Sequence, residues 1–314
     1  MTQSAPEVTA PTAVRTTVLT LADATTAADG AAAATVVLVG GHESGAAEQL
    51  RPWAGPDRAF RAVPAGRALA DAVAAGLDRA DLPVCVVPMT LGRDPALVAD
   101  AARTLGWLSR SAGPGRIALA RPFGAADHLV GWLRAAAGRV AAADPPGAPG
   151  QDTALLVTAP AADAFQDAEL FRIARLVRQH GPHRWVEVAF DQGDPGLSEG
   201  VDRCRRLGAS RVVLLRAALG PAAAGPVPGT VDGGPLLTRQ AVAGVLAARV
   251  DAALQLLRTG RDGIAAGLDA EHGQGFAHAH GHPQHDHHHT HDHHHTHDHA
   301  HHHAHPTGLG PARD

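Results

Sequence analysis

From residue 35 onward, apolar blocks and amphipathic segments alternate along the chain. Thr35–Val39 is a short apolar run closed by Gly40-Gly41, the pattern of a buried strand running into a turn. Arg67–Leu77 repeats with helical period, Val84–Val87 is a second apolar run, and Pro95–Leu108 is helical again. Ile117–Ala120 predicts a third strand, and Asp127 a cap for a helix reaching about Ala137. Strand and helix in alternation imply a parallel sheet with helices on its faces.

The stretch Ala141–Gly150 (AAADPPGAPG) breaks the pattern and reads as a linker, after which the alternation restarts. Ala154–Val157 predicts a strand. Asp163 followed by Gln166 has capping-box spacing, and Leu170, Ile173, Ala174 and Val177 fall on one helical face. Trp185–Phe190 alternates as a strand, and Asp194-Pro195 suggests a cap with proline at the first helical position. Leu197, Val201 and Cys204 line that helix, and Gly208 suits its exit. Val212–Leu215 and Leu236–Leu257 predict a last strand and a long last helix. The two halves share an order, so the expected fold is α/β with two similar lobes, each a parallel sheet flanked by helices. The boundaries are a disordered leader over 1–34, a first lobe over 35–140, a linker over 141–150, a second lobe over 151–260 and a tail over 261–314. Ligands of such sheets sit beyond the carboxyl ends of the strands, here at Gly40–Ser44 and Met89–Asp94.

Composition narrows the chemistry. Apolar residues make up 45% and aromatics 3%, so the core must be built from Ala, Val and Leu. A net charge of −4 lacks the basic excess of a nucleic-acid footprint. No uninterrupted run of about 20 apolar residues suggests a membrane span. Without a basic region followed by an apolar one at the start, cytoplasmic residence is the default expectation. Cys85 and Cys204 lie in apolar-periodic segments and are expected to be buried free thiols.

Histidine gives the strongest signal. Of 22 histidines, all but His42, His128, His180 and His183 fall within residues 272–305. His285–Thr290 reads HDHHHT, His291–Thr296 repeats it, and HDHAHHHAH follows. Neutral imidazole is a preferred ligand of Co, Ni, Cu and Zn, so His285, His287, His288, His289, His291, His293, His294, His295, His297 and His299 are candidate metal ligands. The segment has too few apolar residues to order itself and is expected to be disordered without metal. An engineered tag is an uninterrupted run at a terminus. This run is interspersed with Asp, Thr and Ala and is followed by PTGLGPARD, which fits a natural metal-binding tail. Storage, delivery and buffering would all use the same residues.

A second candidate is Gly40-Gly41-His42-Glu43-Ser44, directly after the first strand. Glycine there brings the backbone close to a ligand, and an imidazole at a strand end can act as a base or a metal ligand. By itself a lone histidine in that place reads first as a hydrogen-bonded structural one. The loop Pro88-Met89-Thr90-Leu91-Gly92-Arg93-Asp94 is the third candidate, with Asp94 expected to cap the helix begun by Pro95. His128, His180 and His183 read as structural.

VVLVGGHES resembles the strand-plus-His motif that opens the type II tetrapyrrole chelatases, the family containing sirohydrochlorin cobaltochelatase of cobalamin biosynthesis. VCVVPMTL and IALARPFGAADHL resemble that family's next strands and loops. AADAFQDAELFRIARLV and VEVAFDQGDPGLSEGVDRCRRLGASRVVLL resemble its second lobe more closely. The likeness spans about residues 35–260, and a His-rich tail also occurs among these chelatases. It implies insertion of Co²⁺, or of Ni²⁺ or Fe²⁺, into a sirohydrochlorin-type tetrapyrrole, with no organic cofactor and no nucleic-acid or membrane partner. Pairing with a second copy of the chain stays open.

In that setting His42 and Glu43 are the candidate catalytic pair, with His42 also a metal ligand. Gly41, Ser44 and Arg93 are candidates for substrate binding, since arginine would orient the macrocycle's carboxylates. Arg51, Arg58, Arg61 and Arg67 read as surface residues. Three departures from the family pattern stand out. The loop after VCVVP holds no second His, no His lies between Thr158 and Ala162, and Arg216 stands where the family often has Pro. The alternative implied is a degenerate chelatase scaffold that stores or delivers Co²⁺ or Ni²⁺.

Overall fold

In the computed structural model, the residues described are 34–53, 60–79, 81–143, 152–219 and 227–270. Most of the expected 1–34 leader, the core of the 141–150 linker and all ten candidate histidines of the tail lie outside them.

Two four-stranded parallel sheets carry the fold. β1 (Thr35–Gly40), β2 (Phe60–Pro64), β3 (Val84–Met89) and β4 (Ile117–Leu119) form the first, in the order β2-β1-β3-β4. β5 (Thr153–Pro160), β6 (Trp185–Asp191), β7 (Arg211–Arg216) and β8 (Val231–Asp232) form the second, in the order β6-β5-β7-β8. The two orders match, as the expectation of two similar lobes requires. β2 was invisible to the hydropathy pattern because it is an edge strand, and only Phe60 of its five residues is buried.

The strands alternate between two apolar environments, as a pleated backbone with both faces covered must. Val37, Val39, Val84 and Val86 face α1 (Arg67–Leu77) and α2 (Pro95–Ala112). Val36, Leu38, Cys85 and Val87 face inward, into one core shared with Leu155, Val157, Val213 and Leu215 of the second sheet. Three helices fill that shared layer: α3 (Ala126–Ala142), α4 (Ala164–Gln179) and α6 (Arg239–Arg258). α5 (Leu197–Arg206) covers the second sheet's outer face through Val201 and Cys204. Leucine side chains such as Leu129, Leu133 and Leu170 are wholly buried here, each stabilising by about 1.5–3 kcal/mol. This is how a chain with few aromatics assembles its core.

Several boundaries move for local reasons. α5 starts at Leu197 rather than Pro195, because the Pro195 carbonyl accepts the Phe190 N–H and keeps that turn on the sheet. α3 is entered at Ala126 rather than capped by Asp127, and His128 Nδ1 accepts the Ala125 N–H at 3.1 Å. The tail begins later than residue 261, since α7 (Ile264–Leu268) returns to the first lobe. Ile264 joins its outer core, and Leu119 N–H bonds Asp262 O at 2.7 Å. α6 has the length and the mean hydropathy, 1.3, of a membrane-crossing helix, which no apolar run announced because charged residues punctuate it. Its Val242, Leu246, Val250 and Leu254 are buried in the shared layer. Cys85 and Cys204 are free and buried, and burial pushes both thiols up to about 12, so neither is a thiolate near neutral pH.

Candidate functional site

Two loops at the carboxyl end of the first sheet form the site. After β1 the chain makes a tight 3₁₀ turn, His42–Ser44. It needs Gly40 and Gly41 because their neighbours fill the space of a side chain. A Cβ on Gly40 would lie 2.3 Å from Ser44 Oγ, and one on Gly41 would lie 2.0 Å from Asp94 Oδ2. After β3, Thr90 organises the second loop. Its hydroxyl accepts the Gly92 N–H at 2.9 Å and the Asp94 N–H at 3.2 Å, and it donates to Glu43 Oε2. Gly92, with φ of +107°, presses against the backbone of Ala125 and Ala126 so closely that no side chain fits.

His42 and Asp94 meet across these loops, with Nδ1 3.0 Å from Oδ2. Asp94 Oδ1 accepts the Leu97 N–H at 3.0 Å, so the expected cap of α2 is present as well. Burial tends to raise the Asp94 carboxyl. The hydrogen bond and charge of His42, with backbone N–H groups of Leu97 and His42, outweigh burial and hold it below the ordinary range. His42 Nε2 is buried and has no hydrogen-bond partner among the described residues.

Glu43 points the other way. It is fully buried, and Oε2 accepts the Leu91 N–H at 2.8 Å as well as the Thr90 hydroxyl. Burial pushes this carboxyl above its ordinary range, and the charge of Arg93, the Thr90 bond, His42 and the Leu91 N–H only partly oppose it.

Two expected substrate-binding residues have other work. Arg93 is not open to a ligand, because it is wholly buried. Its guanidinium donates to Gln166 O at 3.2 Å, to Pro160 O at 3.3 Å and to Asp167 Oδ1 at 3.3 Å, and so ties the first lobe to the start of α4. Ser44 is buried too and donates to Gly41 O at 3.2 Å, which stabilises the turn. Gly41 serves by making room for Asp94.

A cavity of about 430 Å³ opens beside this constellation, within the range of small-molecule sites. Trp53 and Leu91 line it from the first half of the chain, and Arg216, Leu219, Leu236 and Arg239 from the second. Glu43 lies directly behind its wall, since the Leu91 N–H bonds Glu43 Oε2 and the Leu219 N–H bonds Glu43 O. The cationic side chains here are therefore Arg216 and Arg239, not Arg93. Arg239 lies over the Trp53 ring at 5.7 Å, and Arg216 is 3.8 Å from Asp191. Among the described residues, no three His, Cys, Asp or Glu side chains gather around an ion site. His42 stands as a single imidazole donor with a carboxylate behind it.

No family model matches the chain. Over 69 residues it is 36% identical to sirohydrochlorin cobaltochelatase of Priestia megaterium, a stretch that covers 21% of this chain and 22% of that protein. Two solved structures resemble the chain at low identity. SirB from Bacillus subtilis with Fe³⁺ has a TM-score of 0.47 and 12% identity, over 72% of this chain and 98% of that one. DR2241 from Deinococcus radiodurans, a multi-domain protein with structural similarity to chelatases, has a TM-score of 0.40 and 20% identity, over 69% and 55%. The chain thus spans under a quarter of the length of the curated relative it matches.

The sequence does not single out Thr90 within its loop, Arg239, or the second task of Asp94, and it marks Arg216 only as a departure from the family's Pro. For Thr90 a signal existed, since a threonine two residues before a glycine in a loop often accepts a backbone N–H. For the arginines nothing distinguished cavity from surface.

Proposed function

We propose that this chain is a metal chelatase that inserts Co²⁺, or a related divalent ion, into a sirohydrochlorin-type tetrapyrrole. One observation carries the reading. A histidine at the carboxyl end of a central strand has a buried Nε2 without a hydrogen-bond partner among the described residues, while its other nitrogen lies 3.0 Å from Asp94 Oδ2. Metal insertion must remove two pyrrole protons and strip water from the ion. An imidazole lone pair can accept such a proton or hold the incoming ion. The neighbouring cavity suits a flat apolar ring with a charged rim, with Trp53, Leu91 and Leu236 for the ring and Arg216 and Arg239 for carboxylates. The matched stretch of a cobaltochelatase supports the same reaction class. The His-rich tail would raise the local supply of ion, with the chemistry left to His42.

A second reading is favoured by one observation. The only acid–base partner that the β3 loop gives His42, among the described residues, is a carboxylate and not a second imidazole. On that reading the scaffold stores or delivers Co²⁺ or Ni²⁺ without inserting it. Mixing protein, sirohydrochlorin and Co²⁺, with Fe²⁺ and Ni²⁺ in parallel, and following the macrocycle's absorbance separates the two. Acceleration over the protein-free rate supports the chelatase, and none for any metal supports the handler.

A further inference from the structure

The two oxygens of Asp94 have separate partners. Oδ1 accepts the Leu97 N–H at 3.0 Å, and Oδ2 lies 3.0 Å from His42 Nδ1. An ionised carboxylate can only accept, so the hydrogen in the second contact must sit on Nδ1. A neutral imidazole then carries its lone pair on Nε2, and that is the buried nitrogen left without a hydrogen bond among the described residues.

We infer that Asp94 is the positioning residue of the site, locking His42 in the Nδ1–H tautomer so that a lone pair is fixed on Nε2 for the metal ion or a pyrrole proton. Three features hold Asp94 to this task. The end of α2 clamps one oxygen through Leu97. Thr90 fixes the backbone by accepting the Asp94 N–H. Gly41 leaves the space that the other oxygen occupies. Loss of a carboxylate partner behind a metal-binding imidazole typically costs about 10–100-fold in metal affinity or activity. The inference rests on the reading of His42 as the reacting imidazole, and its first test is independent of turnover.

The test is the ¹⁵N–¹H correlation spectrum of the full-length, metal-free chain above pH 8, with the His42 signals identified by their loss in His42→Ala. The expected wild-type pattern has Nδ1 protonated and Nε2 unprotonated. In Asp94→Asn the amide oxygen keeps the cap on Leu97 and the NH₂ group turns to His42, so Nδ1 becomes the acceptor and the proton moves to Nε2. The pattern should invert with the melting temperature nearly unchanged, and any Co²⁺ insertion rate should fall at least about 10-fold. A wild-type His42 protonated on Nε2, or an Asp94→Asn variant that keeps the wild-type pattern, overturns the inference. A chain that shows the inversion but never inserts Co²⁺ retains the positioning role and loses the chelatase reading.

Discussion

The two lobes share a sheet order but divide the labour unequally. After β1 the first lobe places His42 and Glu43 in a tight turn, whereas after β5 the second lobe runs through Ala161 and Ala162 straight into α4, capped by Asp163. After β3 the first lobe supplies Thr90, Arg93 and Asp94, and after β7 the second supplies Ala217 and Leu219. To these loops the second lobe gives mainly backbone, with Pro160 O and Gln166 O receiving Arg93 and the Leu219 N–H reaching Glu43 O, and to the cavity it gives the side chains of Arg216 and Arg239. A repeated scaffold can thus carry different loops on its two copies, with the candidate imidazole on one and the anchor for Arg93 on the other. Function follows the loops and not the topology.

That asymmetry can be broken most severely at the anchor. Arg93→Met removes the buried cation that joins the lobes and leaves Asp167 and Glu43 facing the gap, so urea denaturation should show a loss of about 3–5 kcal/mol. A loss under about 1 kcal/mol would mean that the lobes are held by apolar packing alone. Gly41→Ala should come next. Its Cβ would lie 2.0 Å from Asp94 Oδ2, and overpacking of this kind costs about 1–3 kcal/mol. The same push should separate Asp94 from His42 and lower insertion about 10-fold, and an Ala variant with wild-type rate would show that the contact is dispensable.

Smaller effects sharpen the comparison. Asp163→Ala deletes the cap on which the second lobe's α4 starts, where the carboxylate accepts from Phe165 and Gln166 N–H at 2.9 Å each. Thermal melting should report about 1 kcal/mol lost, with the insertion rate intact if the chemistry belongs to the first lobe. Glu43→Gln should act through pH. A carboxyl raised by folding favours the fold below the usual glutamate range, near pH 4.3, and that contribution is lost as pH rises through its folded value. The melting temperature of the variant relative to wild type should therefore climb as pH rises above about 4.3. A constant difference would show that Glu43 is not held above its ordinary range.

Much of this was legible in the sequence. Arg67–Leu77 was read to the residue because its apolar positions follow the helical repeat, and Asp163 and Gly208 marked helix ends through their own backbone chemistry. His42 and Glu43 were found because they follow two glycines at a strand end. What could not be read depends on contacts between distant segments. Arg93 looked like a free cation in a loop, and only the arrival of Pro160, Gln166 and Asp167 from the second lobe buries it. Asp94 looked like a helix cap and is one, but its second oxygen meets His42 only because β1 and β3 lie side by side. The return of Ile264 to α2 was hidden by its nearness to the histidine run.

His42, held by Asp94, is the group proposed to perform metal insertion. The most direct measurement is the initial rate of Co²⁺ insertion into sirohydrochlorin by wild type and by His42→Ala, followed by the macrocycle's absorbance, with circular dichroism to confirm that both are folded. The wild-type rate should lie well above the protein-free rate and drop at least about 100-fold in the folded variant. Equal rates for the two proteins would contradict that role.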